Sequence, residues 1–528
     1  MAKELFTREA SGLVRGMSGI DALVGNVLLA NLIFGSFGLL LVPLLFQGAS
    51  LAMSLVFATI AAFFMNIVYV LFGATFPVSG GDYVYNSRSL HPIIGFAANV
   101  SVISAAGGFI AIYGNWAMTI GLAAMFETLG TVTNNENLIN LAWDLSGQNI
   151  TFIIATAMTV LAMLIVLTGL KRSLLLMKIM FIIGMIGVGL AIFIVLFTSH
   201  NTFVSNFNQY GDYNQVISDA AAQGFPVIKW NQLAPALIGI GYAGLTVIYT
   251  QNSVYAGGEL QNPRKNMTVA IMGSLAILAP LSILMALGME RTFGTQFIGA
   301  MGWLFNNYDP LPEYPVLAQP SYNLFAGIAA PNTAFIVLMG LGFVLWPFGT
   351  MIFVFTFTSR AVMAWSFDRI LPDKLSEVNE KYHTPTYAIL FIFIVTELAL
   401  TLYTYWPGFG TFIGVVTCMC TLAYFVTAIG GIVFPFRRKE LYKGSPADKS
   451  IAGIPLITIA GIISALFMGI AFYGLFDPDV YFVYGLRAYL AFWLFFPILA
   501  IVVYIISRIV RKRQGIDLDL IYEEIPPA

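Results

Sequence analysis

Runs of about 20 apolar residues recur along this chain, and a helix of that length crosses a hydrocarbon core of roughly 30 Å. Twelve such runs lie near residues 20–46, 50–76, 94–126, 150–170, 174–199, 233–256, 267–289, 332–365, 384–404, 408–434, 452–476 and 480–507. Barrel strands would instead alternate polar and apolar residues over about 10 positions. The predicted fold is therefore an all-α polytopic membrane protein with 12 transmembrane helices, numbered here as spans 1 to 12. A chain that is 59% hydrophobic and 10% charged, with a mean hydropathy of +0.84, lies outside the soluble globular class. Its net charge of −1 argues against a nucleic-acid partner; the partner it needs is the lipid bilayer.

Basic residues orient the bundle, because Lys and Arg accumulate on cytoplasmic loops. With both termini inside, Lys3, Arg8 and Arg88 are among those on the cytoplasmic side, and of the 25 Lys and Arg only Lys229, Arg291 and Arg487 fall outside. The expected location is the cell membrane, multi-pass. No removable leader is expected, since Glu4 and Glu9 interrupt the first residues and no apolar core with a small-residue cleavage site follows. Cys418 and Cys420 sit two positions apart on different faces of span 10 and are expected to be free thiols. Longer external segments cover 127–149, 200–232 and 290–331. The last, rich in Pro and aromatics, reads either as a lid or as plain structural cover.

Two spans carry residues that lipid would not tolerate. Span 6 holds five consecutive polar side chains, Tyr249, Thr250, Gln251, Asn252 and Ser253, inside "GLTVIYTQNSVYAGGELQNPRKN". Span 1 holds Gly35, Ser36 and Gly38 near its middle, in "NLIFGSFGLLLVP". Polar or irregular backbone at membrane depth is tolerated where it lines a cavity. Interrupted spans at matching positions of two halves point to an inverted-repeat transporter with its site at the midplane. In the competing reading, the span 1 glycines only let helices approach closely, and the span 6 polar residues bond to neighbours within a continuous helix.

Three segments then carry a family resemblance. "FPVSGGDYVYNSRSLHPIIGF" (76–96), "GGELQNPRKN" (257–266) and "TSRAVMAWSFDRILPDKLSEVNEKYHTPTYAIL" (358–390) are similar, in order and sidedness, to elements of the amino acid-polyamine-organocation superfamily of permeases. The resemblance implies a five-plus-five inverted repeat with discontinuous helices 1 and 6, plus helices 11 and 12. The chain then divides into a cytoplasmic segment 1–19, a first repeat 20–199, an external loop 200–232, a second repeat 233–434, helices 11–12 at 452–507 and a cytoplasmic tail 508–528. Substrate would lie between Phe34, Gly35, Ser36, Phe37 and Gly38 of span 1 and Tyr249, Thr250, Gln251, Asn252 and Ser253 of span 6. Phe37 and Tyr249 depart from the family pattern, each standing where a glycine is usual.

Further roles follow from the same resemblance and from chemistry. Glu259 matches the family's acidic position after span 6, as an inner-gate carboxylate with Arg88, Lys171 or Arg360 as partner. Trp116 and Trp346 are candidate aromatic gates. Glu397, deep in span 9, would cost about 2.5–3.5 kcal/mol if ionised and reads either as a structural hydrogen-bonding group or as a coupling group. The coupling ion is a proton or sodium. Sodium would need oxygens such as Thr356 and Ser359 on span 8, whereas proton-driven relatives can carry a lysine midway along span 5, where this chain has Gly184. Neither broken segment carries a charge, which favours a neutral amino acid.

The expected function is secondary active transport of an amino acid or related amine by alternating access, as cation-coupled symport. An exchanger or a transport-derived sensor is the alternative. An enzyme is not expected, because His91, His200 and His383 map to loops and no metal or paired-acid motif occurs. No cofactor is expected either, since "GIGYAG" at 239–244 has no strand before it.

Overall fold

The structure, a computed structural model, describes residues 12–307, 320–406, 412–476 and 485–522. Lys3 and Arg8 of the charge argument, the middle of the 290–331 segment and the last residues of the tail lie outside these. The fold is an all-helical membrane bundle. Among the described residues, 11 helices are long and apolar enough to cross a bilayer. The predicted run missing from that set is span 6, and the reason is conformational: 233–256 is apolar enough but is not one helix.

Span 1 is two half-helices, Gly19–Ala30 and Leu32–Leu45, divided at Asn31. Asn31 has φ 41°, ψ 86°, a left-handed conformation that asparagine accepts more readily than most residues. It serves both halves. Its N–H donates to Val27 O at 3.3 Å, while its Oδ1 accepts from Ile33 N and Phe34 N at 3.2 Å each. The break therefore lies one turn before the expected Gly35–Gly38 stretch, which is regular helix. Those glycines act by closeness: a Cβ on Gly35 would overlap Thr246 Cγ2, and one on Gly38 would come within 2.8 Å of Leu245 Cδ1. Small residues let spans 1 and 6 cross with their backbones nearly touching.

Span 6 is helical only over Leu233–Ile238 and Ile240–Ala243. From Gly244 to Glu259 it runs in short 3₁₀ turns, and the chain resumes a long helix at Pro263–Gly288, span 7. Such unwinding exposes amides and carbonyls that need partners. Polar side chains on neighbouring spans bond to the backbone and hydroxyls of this segment. Asn26 of span 1 accepts from Ser253 N at 2.8 Å and donates to Ser253 Oγ at 3.0 Å. Asn66, in span 2 (Leu51–Thr75), donates to Thr250 Oγ1 at 2.8 Å, and Ser274 of span 7 donates to Thr250 O at 3.3 Å.

The remaining spans frame this pair. Span 3 begins at Pro92 and runs through a π-helical turn at Ala117–Ala123 to Thr133, beyond its expected end. Span 5 is Leu170–Phe197, span 8 is Thr333–Phe367, span 9 is Thr386–Tyr405 and span 10 is Phe412–Arg437. The longer segments between spans are partly helical, with Glu136–Ser146, His200–Phe207, Tyr213–Ala222, Thr295–Asn307 and Tyr322–Ala329. A short helix, Asp82–Ser89, connects spans 2 and 3.

Candidate functional site

A cavity of about 40 Å³ lies where the two interruptions meet. Span 1 contributes Leu29 and Phe34, span 3 Val102 to Tyr113, span 6 Tyr249 and Asn252, span 8 Val354 and Phe357, and span 10 Val416, Cys420 and Tyr424. Its walls are mostly hydrocarbon, with polarity confined to the Asn252 amide, the Cys420 thiol and tyrosine hydroxyls. A volume of this kind holds a few waters. Trp116 closes one flank by stacking on Phe34, with ring centroids 4.6 Å apart, and its Nε1 donates to Tyr403 Oη at 3.1 Å. Tyr249 meets Tyr424 edge-on at 6.2 Å on another.

The ten expected substrate-site residues divide into groups. Phe34, Tyr249 and Asn252 line the cavity. Phe37 packs near Trp116 at 6.3 Å. Gly35 and Gly38 serve the helix crossing, and Ser36 donates back to Ile33 O at 2.6 Å. Thr250 and Ser253 are taken up by Asn66 and Asn26, bonds to neighbouring spans made from an unwound segment rather than from a continuous helix. Gln251 is 1% exposed, and neither atom of its amide has a protein partner among the described residues. The polar stretch is thus divided between cavity wall and bonds to neighbouring spans, and the continuous helix of the competing reading is absent.

Trp346 is not among the residues that line the cavity. It is fully buried, and its Nε1 donates to Leu28 O at 2.9 Å, a carbonyl that also accepts from Thr350 Oγ1 at 2.7 Å. Two span 8 donors thereby hold the carbonyl end of the broken span 1. The indole occupies the space beside Gly184, where a Cβ would come within 2.8 Å of Trp346 Cε3. Thr356 and Ser359 donate to Ile352 O and Thr356 O of their own helix at 2.9 Å each. Each hydroxyl thus spends its proton within the helix and keeps its oxygen as an acceptor, and Ser359 Oγ also accepts from Arg360 NH1 at 3.1 Å. Glu397 faces span 4 (Gln148–Leu167), not the cavity, and accepts from Thr156 Oγ1 at 2.9 Å.

At the basic end of the bundle, two buried ion pairs replace the single expected gate. Glu259 pairs with Arg360, with Arg360 Nε to Oε2 at 2.8 Å and NH2 to Oε1 at 2.9 Å. Arg88 pairs instead with Asp368, at 2.6 and 3.0 Å. Burial lowers the Arg88 affinity for its proton, but the Asp368 carboxylate more than offsets this and holds the guanidinium charged. Both pairs are bidentate, the geometry in which Arg and carboxylate bind best. A vestibule of about 930 Å³ adjoins Glu259 and is lined by Asp21, Lys171, Arg172, Lys178 and Lys381 among others, with Lys178 bonded to Asp21.

Sequence reasoning missed Asn26, Asn31, Asn66, Asp82, Asp368, Cys420 and Tyr424. The three asparagines carried a usable signal, since each is an amide set among apolar residues of a span, two in span 1 and one in span 2, the same anomaly that drew attention to residues 249–253.

An all-helical membrane protein whose first and sixth spans both lose their helix beside a shared cavity is constructed as a membrane permease, not as an enzyme. The chain belongs to the amino acid permease family, whose model matches residues 22–504. It is 25% identical over 239 residues to the glutamate/serine transporter AimA of Bacillus subtilis (strain 168), a match covering 44% of this chain and 40% of that protein. The alignment thus spans less than half of that relative's length. It is 23% identical over 475 residues to the branched-chain amino acid permease BcaP of the same organism, covering 87% of each. Among solved structures, a Na⁺-coupled sialic acid symporter in a substrate-bound outward-open state is similar over 87% of this chain and 89% of that one, with a TM-score of 0.43 and 12% identity.

Proposed function

We propose that this protein is a secondary active transporter that moves a neutral amino acid with an apolar side chain, by alternating access around spans 1 and 6. The observation that carries this reading is the cavity between the two interruptions, whose walls are hydrocarbon and aromatic and bear no charge. A leucine-like side chain fits such walls, whereas a charged one would meet no counter-charge. The branched-chain permease that aligns with 87% of this chain supports the same class. The α-amino and α-carboxyl groups fall to the interruptions themselves, where half-helix ends offer carbonyls and amides.

In this reading 20–199 and 233–434 are the inverted repeats, and both termini face the cytoplasm of a cell-membrane protein. The Arg360–Glu259 and Arg88–Asp368 pairs then close the inner end, with the vestibule below Glu259 as the exit. The cavity at about 40 Å³ accepts an amino acid only when its ring walls withdraw, which makes Trp116 with Phe34 the movable cover. Coupling is to protons. Radiolabelled leucine counterflow in proteoliposomes tests the substrate: saturable exchange, competed by isoleucine and valine and not by glutamate or lysine, is expected. Exchange that prefers a charged amino acid contradicts it.

A further inference from the structure

Asp82 opens the short helix between spans 2 and 3 and is wholly buried. Its Oδ1 accepts from Tyr255 Oη at 2.7 Å and Asn99 Nδ2 at 2.6 Å, and its Oδ2 accepts from Tyr69 Oη at 3.1 Å. Among the described residues no cation pairs with it, unlike the buried carboxylates of Glu259 and Asp368. The groups that face it are Tyr69 from span 2, Asn99 from span 3, Tyr255 from span 6, Tyr85 from its own helix, and Tyr424 and Cys420 from span 10. Trp365 of span 8 reaches it through Asn99, donating to Asn99 Oδ1 at 2.7 Å. None carries a positive charge.

A buried carboxylate held by neutral donors alone is costly to keep ionised. Burial pushes the Asp82 carboxyl above the ordinary carboxylate range, with donation from Tyr255, Asn99 and Tyr69 pulling the other way. The hydrogen bonds around it admit two arrangements. Tyr69 has one hydroxyl proton and two acceptors, Asp82 Oδ2 at 3.1 Å and Thr427 Oγ1 of span 10 at 3.3 Å. With Asp82 ionised, that proton serves the carboxylate. With Asp82 protonated, the carboxyl donates to Tyr69 Oη, and Tyr69 turns its proton to Thr427. Both ends of this relay reach the transport site. Tyr69 meets Tyr424, a cavity wall, edge-on at 6.1 Å, and Tyr255 follows the cavity-lining segment of span 6.

We propose that Asp82 is the group that binds and releases the coupled proton, and that Tyr69 and Tyr255 carry its protonation state to spans 10 and 6. One proton is taken from water on one side of the membrane and given to water on the other, with no redox step. This rests on the reading of the chain as an amino acid transporter, and the test separates the two. Purified protein in proteoliposomes enclosing a pH-sensitive dye is supplied with a mixture of neutral amino acids, and net uptake and proton movement are recorded together, with exchange measured separately in preloaded vesicles. Wild type is expected to acidify the lumen as substrate enters. Asp82→Asn is expected to abolish proton movement and uphill accumulation while amino acid exchange persists. Tyr69→Phe, which removes one donor to the ionised form, raises the proton affinity of Asp82 and is expected to move the pH midpoint of uptake upward by about half to one unit. Net uptake by wild type without proton movement overturns the role of Asp82 and leaves the substrate reading intact. Proton movement by Asp82→Asn, or an unmoved midpoint in Tyr69→Phe, overturns it as well.

Discussion

Single asparagines do much of the work that holds this bundle in an irregular shape. Asn31 supplies a left-handed backbone, an amide for the first half-helix and a side-chain acceptor for the second. Replacing it with Ala removes the cap and adds strain, and is expected to cost about 2 kcal/mol, read as a lower melting temperature in detergent that saturating substrate only partly restores. Asn252 is the one amide in the cavity wall, donating to Tyr249 O at 3.0 Å. Asn252→Leu is expected to weaken substrate binding by about tenfold, in line with the loss of one hydrogen-bonding partner, with membrane insertion unchanged; unaltered binding would remove Asn252 from the site. At this scale the sequence was partly legible. Polar residues in an apolar run announced a cavity, but which of them face it depends on partners such as Asn26 and Asn66, far away in the chain and visible only once folded.

Among elements, the crossing of spans 1 and 6 is the tightest constraint. A Cβ on Gly35 would overlap the Thr246 methyl, so Gly35→Val is expected to destabilise the protein by about 1–3 kcal/mol, as overpacking does. Thr246→Ser, which deletes that methyl, is expected to rescue part of the loss in a thermal-unfolding comparison; equal stability of the single and double variants would show that the crossing is not the cause. Existence and order of the spans were readable because hydropathy reports removal from water. It does not report helicity. Span 6 satisfied the same apolar criterion as its neighbours, yet from Gly244 its backbone forms short turns, with Ser253 N and Thr250 O bonded to side chains of other spans. The position of the span 1 break escaped for a related reason: glycine suggested freedom at Gly35, whereas close packing explains the glycine and Asn31 makes the turn.

Across the whole molecule, the two buried ion pairs and the apolar cavity define opposite demands. Glu259 and Arg360 are each 1% exposed at the side chain, and removing one partner leaves a buried charge alone. Glu259→Gln is therefore expected to cost about 3–5 kcal/mol, and the double variant with Arg360→Gln to cost less than either single one; additive losses in a thermal-unfolding cycle would mean that the pair is not coupled. Substrate, on the proposed function, occupies the cavity between the interruptions, and the chain carries its own reporter there. Cys420 lines the cavity, while Cys418 lies apart, 3.0 Å from Tyr489 Oη. In a Cys418→Ser background, the rate at which a small uncharged thiol reagent modifies Cys420 should fall several-fold on adding saturating leucine, the cavity then being filled. An unchanged rate in protein that demonstrably exchanges leucine would place the substrate elsewhere.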